Sequence, residues 1–346
     1  MSDFKPHLPL DRDGERLLIH IADPLRRTPL RFSIPDSDGM DRLLQAAEIH
    51  GVLPAAIRAL NDLIQAARTA GSDPAADAAL AALDGARLKL AYQTGFQMMM
   101  SHHARRVMAA FGEAAIPAAI VKGAAFAQRL YPDPSLRTFT DVDILIPETH
   151  RHRTGEIMSG LGFELFEFDD RVGKDYHEQK WLLAAQKDVM IEVHSNLVHS
   201  PKLRGAMSVD FEDVLAAGNG SSEDATALLF TAAAHGAVGH QLDRLQHVVD
   251  VMQAARGAAG AVDADRLARV SRQCGVTMAI VGALVLAGKT FGEARCLELA
   301  KHLSPTPIAR LSGQLLSPAL LVRGQSVARA QGSWRRKLFR QALRIG

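Results

Sequence analysis

Between residues 39 and 114 apolar side chains recur at steps of three and four, as in "GMDRLLQAAEIHGVLPAAIRALNDLIQAARTA" (39–70). That spacing predicts amphipathic helices with one face in a core. Pro54 marks a helix start, because proline is tolerated in a first turn. "GSDPAAD" (71–77) predicts a loop leading into a helix over 78–114. Upstream, "RLLIHIA" (16–22) predicts a short strand. The pattern changes at Pro117. "AAIVKG" (118–123) predicts a strand closed by glycine, and "AAFAQRLY" (124–131) returns to helical spacing. "PDPSLRTF" (132–139) reads as a loop, "TDVDILIP" (140–147) as a strand, and "HRHRTGEIMSGLG" (150–162) as a helix ended by glycine. "FELFEF", "YHEQKWLLA" and "DVMIEVHSNL" predict three further strands. Helices are then expected over 223–238, 241–257, 263–273, 276–289 and 292–303.

This pattern divides the chain into an N-terminal extension (1–37), a helical region (38–116), an α/β core (117–208), a second helical region (209–305) and a tail (306–346). The layout is α+β, with a small sheet between two helical regions. The 346 residues suit two domains or one enlarged domain. The longest uncharged stretch near the C-terminus, "CGVTMAIVGALVLAG", has 15 residues. A membrane span needs roughly 20, so this stretch predicts a buried helix. With no apolar signal segment at the N-terminus, a cytoplasmic location is expected.

Composition changes this picture little. Apolar residues make up 47%, charged residues 23% and the formal net charge is +2, the profile of an ordinary globular protein. Aromatics are only 5%, which argues against the stacking platforms of nucleic-acid binders. The charge distribution is more telling: from residue 299 onward there are nine Lys or Arg and no Asp or Glu. The basic segment "WRRKLFRQALR" (334–344) reads as a solvated terminal helix, with nucleic acid or acidic lipid as the alternative. Cys274 and Cys296 fit neither a metal spacing nor a disulfide framework.

The chemistry lies in the α/β core. On a strand, residues i and i+2 face one side, so Asp141 and Asp143 project together while Val142 and Ile144 enter a core. Two adjacent carboxylates repel, and a divalent cation removes the penalty; hard oxygen ligands select Mg²⁺ or Mn²⁺. In "VMIEVHSN", Met190, Glu192 and His194 share one face. If this strand lies beside the first, Glu192 becomes a third carboxylate. Three acids around one point suit two metal ions, which clamp the attacking and leaving oxygens of a phosphoryl transfer. The glycine turn before the helix, at Gly123 and Ala124, presents backbone N–H groups to phosphate. Lys122, Arg129 and Arg137 are its candidate side-chain partners. His194 either orients a metal ligand or meets a phosphate, or is a hydrogen-bonded half-buried histidine; His177 carries the same alternatives. The segment 235–250, with His235, Arg244 and Asp250, either touches substrate or packs between helices.

Taken in order, these residues resemble the DNA polymerase beta-like nucleotidyltransferase superfamily: a glycine turn before a helix, an apolar-D-apolar-D strand, and a third acid on a later strand. "VKGAAF", "YPDPSLR", "TDVDILIP", "GLGFE" and "IEVHSNL" resemble more closely a bacterial branch known as uncharacterised nucleotidyltransferases, over roughly residues 40–255. The resemblance implies a small twisted mixed sheet of nucleotidyltransferase type. It also implies two Mg²⁺ (or Mn²⁺) ions and a nucleoside triphosphate such as ATP as co-substrate. The implied reaction moves a nucleoside monophosphate to a small-molecule, peptide or protein acceptor and releases pyrophosphate. Asp141 and Asp143 would hold both metals, and Glu192 the catalytic one. Ala124 departs from the Ser or Gly usual after the turn glycine. A non-catalytic nucleotide-binding protein of the same fold and a nucleic-acid-modifying transferase are the alternatives.

Overall fold

The computed structural model describes residues 10–25, 32–70, 74–166, 177–303, 315–323 and 334–344. About half of the basic tail (306–314, 324–333 and 345–346) and the end of "FELFEF" therefore lie outside the described residues. The architecture is α+β: a five-stranded mixed sheet set among helices. Helices α1 (Arg12–Ala22), α2 (Ser37–Ile49), α3 (Leu53–Ala70) and α4 (Pro74–Glu113) precede the sheet. The α/β core comprises β1 (Ala119–Ile120), α5 (Ala124–Leu130), β2 (Val142–Leu145), α6 (Arg151–Gly160), β3 (Phe163–Leu165), β4 (Glu178–Leu183) and β5 (Gln186–His194). Helices α7 (Pro201–Arg204), α8 (Phe211–Ala217), α9 (Ala225–Val238), α10 (Leu245–Ala255), α11 (Ala264–Gln273), α12 (Thr277–Phe291) and α13 (Ala294–Leu303) follow, then the helices Pro318–Arg323 and Trp334–Ala342.

Three expectations are corrected. "RLLIHIA" is helix, not strand. Asp11 caps α1 by accepting from Gly14 N at 2.7 Å, and Leu17, Leu18 and Ile21 lie on one buried stripe, which fits a 3.6-residue period. Helix α10 begins at Leu245 rather than 241, because Gln241 and Leu242 both take left-handed backbone angles (φ 52° and 51°) that interrupt a helix. The terminal helix is docked rather than solvated. Phe339 is fully buried, and it packs so closely on α12 that a Cβ at Gly282 would lie 2.7 Å from its ring.

Two apolar clusters organise the molecule. The larger contains α1–α3, the first half of α4 and the helices from α8 onward, so the helices before and after the sheet share one core. The smaller lies under the sheet. Val142, Ile144, Ile191 and Val193 meet Met100, Val107 and Phe111 of α4 and Met158 of α6. Helix α4, with 40 residues and so about 60 Å long, belongs to both. Between its buried ends, Leu88, Tyr92 and Met98 are exposed. No helix of the described residues is long and apolar enough to cross a membrane, and the stretch 274–288 is the buried α12.

His50, at the end of α2, ties the helical body together. Its Nδ1 accepts from Leu245 N at 3.3 Å, and its Nε2 donates to Val322 O at 3.2 Å. Accepting at Nδ1 requires the neutral ring, because the protonated ring carries a hydrogen there. Burial outweighs the carbonyl bond and lowers its pKa to about 4. A histidine with a depressed folded pKa contributes stability that is complete above its unfolded value of 6.5 and lost as pH falls toward 4. The expected loss across that window is about 3 kcal/mol. Urea unfolding at stepped pH checks it: the slope between those values flattens in His50→Gln.

Candidate active site

Strand β2 is an interior strand beside the central β5, antiparallel to β1 and parallel to β5, in the order β1-β2-β5-β4-β3. The β2–β5 register pairs Asp143 directly with Glu192 and Leu145 with His194. Adjacent strands are about 4.8 Å apart, so the carboxylates of Asp143 and Glu192 rise side by side from one face. The opposite face carries Val142, Ile144, Ile191 and Val193 into the smaller core. Asp141, one residue before the strand, lies half-buried on the cavity side.

Asp143 is almost fully buried, at 1% exposure. Its Oδ1 is paired with the Lys122 ammonium and receives a bond from His194 Nε2 at 2.8 Å. Its Oδ2 is buried without any hydrogen-bond partner among the described residues. Burial alone would raise its pKa, but Lys122 and His194 outweigh burial and hold the carboxyl ionised, well below the usual range. Asp141 responds oppositely. Burial, and then the charge of Asp143, push it up to about 6. Lys122 is raised, because the carboxylates of Asp143 and Asp141 overcome its own desolvation. His194 is fully buried; its bonds to Asp143 and Glu192 overcome desolvation and raise it to about 9.

Glu192 pairs with Lys180, which also meets Glu178 at 2.7 Å. Lys180 lies opposite Glu192 in the β4–β5 ladder. One donor atom each from Asp143, Glu192 and His194 falls within a 4.8 Å group able to hold a metal ion. Asp143 Oδ2 adds a buried oxygen that a cation would satisfy, so the donor set fits a hard divalent ion.

Gly123 precedes α5 with φ 47° and ψ −108°, a region open essentially to glycine. A Cβ there would also come within 3.1 Å of Asp141 O, so the turn lies tightly against the aspartate strand. Ala124 is buried, and α5 has only seven residues. The arginines divide. Arg129 is exposed on α5, with Nη2 3.5 Å from Glu223 O, and it does not line the cavity. Arg137 is buried and gripped by Asp250 of α10, with Nε to Oδ1 and Nη2 to Oδ2 both at 2.8 Å. Its Nη1 donates to Gly123 O at 3.2 Å, so it supports the glycine turn. Tyr131 also donates to Asp250 Oδ1, at 2.7 Å.

A cavity of about 740 Å³ opens over these residues. Lys122, Gly123, Asp141 and Asp143 line it together with His235, His240, Arg244, Gln246 and His247, and with Tyr92 and Phe96 of α4. The segment 235–250 therefore both packs and faces the cavity. His194 lies behind Asp143 rather than in the cavity wall, and His177 binds Ser195 and Glu148 instead, at 3.0 and 3.1 Å. Sequence reasoning missed Lys180, His240 and His247. The signal for Lys180 was its place on a hairpin facing Glu192; His247 fell inside an expected helix (241–257) and His240 in the short gap before it.

No curated protein and no solved structure matches the chain. A family model does, over residues 36–292, which extends past the resemblance seen in the motifs to the end of α12. By that match across most of its length, the chain belongs to the family described as Uncharacterised nucleotidyltransferase.

Proposed function

We infer that the protein transfers a nucleoside monophosphate from a nucleoside triphosphate to a small-molecule, peptide or protein acceptor, with Mg²⁺ or Mn²⁺. One observation carries this reading: the parallel register that sets Glu192 beside Asp143, whose second oxygen is buried and unpartnered. Asp141, Asp143 and Glu192 would hold the ions. Bound Mg²⁺ supplies the positive charge that screens the carboxylates and stabilises charge on the phosphoryl oxygens.

The remaining work falls to the chain itself. His194 orients the Asp143 carboxylate through its Nε2–H, and Lys180 orients Glu192. Lys122, paired with Asp143 Oδ1, lines the cavity, where its ammonium would bind a phosphate. Gly123 lets the backbone approach the triphosphate, with its carbonyl held by Arg137. Asp141, at about 6, gives up its proton near neutral pH and is then a competent ligand. The cavity volume suits a nucleotide-sized ligand.

A second reading has its own support. Lys122 and Lys180 already neutralise Asp143 and Glu192, as expected of a metal-free nucleotide-binding protein of this fold. Incubation with each α-labelled NTP, Mg²⁺ or Mn²⁺ and fractionated cell extract separates the two. Metal-dependent transfer of label with release of pyrophosphate is expected. Calorimetric binding of NTP without pyrophosphate release in any fraction would establish the second reading instead.

A further inference from the structure

The cavity lining from the segment before α10 carries a second cluster of ligating groups. His240, Asp243 and His247 each offer one atom to a group lying within 4.8 Å. The spacing, H-x₂-D-x₃-H, places two of them in the turn before α10 and the third in its first turn. The rings of His240 and His247 stack, with centroids 4.4 Å apart and planes 23° from parallel. His247 Nδ1 is buried without a hydrogen bond among the described residues. It lies 3.4 Å from Asp243 Oδ1, longer than an ordinary hydrogen bond.

The backbone is built to produce this convergence. Gln241 and Leu242 are consecutive non-glycine residues in the left-handed region, which is uncommon for one residue and more so for a leucine. Surrounding structure holds them there. Leu242 is 1% exposed, its N–H donates to Gly236 O at 2.8 Å, and a Cβ at Gly236 would lie 3.1 Å from its side chain. The turn brings His240 back over His247. His235, 6% exposed and lining the same cavity, has its ring 4.7 Å from that of His240 and a buried Nδ1 without a hydrogen bond among the described residues.

A further nitrogen-containing cluster, Glu178 with His194 and His199, differs in one respect: the Lys180 ammonium lies 2.7 Å from Glu178 and supplies positive charge there. We propose that His240, Asp243 and His247 form a transition-metal site, for Zn²⁺ or an ion of similar softness, at the cavity that Asp141 and Asp143 also line. Two imidazoles and one carboxylate are a donor set that favours such ions over Mg²⁺, which prefers oxygen throughout. Three protein ligands leave a coordination position for an oxygen, nitrogen or sulfur atom of a ligand in the cavity. The site is independent of nucleotide transfer, so it stands or falls separately from the proposed function.

The test uses tag-free full-length protein, stripped with a chelator and titrated with Co²⁺ in excess Mg²⁺. The expected result is visible absorption of low-coordinate Co²⁺ that saturates at one ion per chain and is displaced by Zn²⁺. His240→Ala and His247→Ala each weaken binding by more than about 100-fold, beyond the loss from removing a mere outer partner of a ligand. Asp143→Asn retains the signal. Circular dichroism monitors folding, and His240→Asn and His247→Gln replace any alanine variant that fails to fold. Absence of a saturable signal in the unmodified protein, its survival in the histidine variants, or its loss in Asp143→Asn alone would overturn the assignment.

Discussion

Asp143→Asn abolishes nucleotide transfer and Mn²⁺ binding at the carboxylate site, while the sheet still forms. The charge removed is the one that two strands converge on. Asp143 is at once the register partner of Glu192, the acceptor of His194 and the counter-ion of Lys122. An amide in its place supplies one neutral oxygen where a cation needs an anion. The expected fall in transfer rate is about 1,000-fold or more, the several kcal/mol a bound ion contributes to phosphoryl transfer. The structural cost is limited, because His194 keeps its contact with Glu192 and Lys122 retains the field of Asp141. Labelled-nucleotide transfer, Mn²⁺ titration by electron paramagnetic resonance and thermal unfolding, run on one preparation, separate the effects. Wild-type transfer by this variant would refute the role of the strand pair.

The second large effect is on stability and lies behind the cavity. Arg137→Met leaves Asp250 as a buried carboxylate with only the Tyr131 hydroxyl for company. Removing one partner of a buried ion pair costs about 3–5 kcal/mol, because the survivor's charge stays uncompensated. Asp250→Asn costs a similar amount, stranding a guanidinium that also lies over the Phe126 ring at 5.3 Å. The double variant Arg137→Met/Asp250→Leu recovers much of the loss, since both charges leave together. Denaturant unfolding of the four proteins measures the coupling. Transfer does not recover in the double variant, because Gly123 O has lost its donor and the glycine turn its brace. Additive losses would show the pair to be two independent contacts.

These cases mark what the chain of letters made legible. Alternation along β2 and β5 identified the acidic face and the buried face, because a period of two permits no other reading. It did not identify who neutralises the acids. Counting outward from the two-residue turn at Ala184 and Ala185, with Leu183 opposite Gln186, sets His177 opposite Glu192. An irregularity after Leu182 shifts the ladder by three residues and brings Lys180 there instead. Arg137 read as a phosphate ligand because its partner, Asp250, is 113 residues away. The histidine wall stayed hidden because helical spacing continues through 241–244, where tertiary packing of Leu242 forces a turn that local preference opposes. "RLLIHIA" shows the same limit at smaller scale: a short apolar run fits either period until its cap at Asp11 is weighed.

Helix α4 is clamped at one end in the helical body and at the other beneath the sheet, with Tyr92, Gln93 and Phe96 at the mouth of the cavity midway. A rod so anchored resists compression but bends, and its softest points are the glycines at 85 and 95, which have open space around them. For the transfer proposed above, replacing Gly95 by alanine is expected to stiffen this helix beside the cavity while leaving the carboxylates in place.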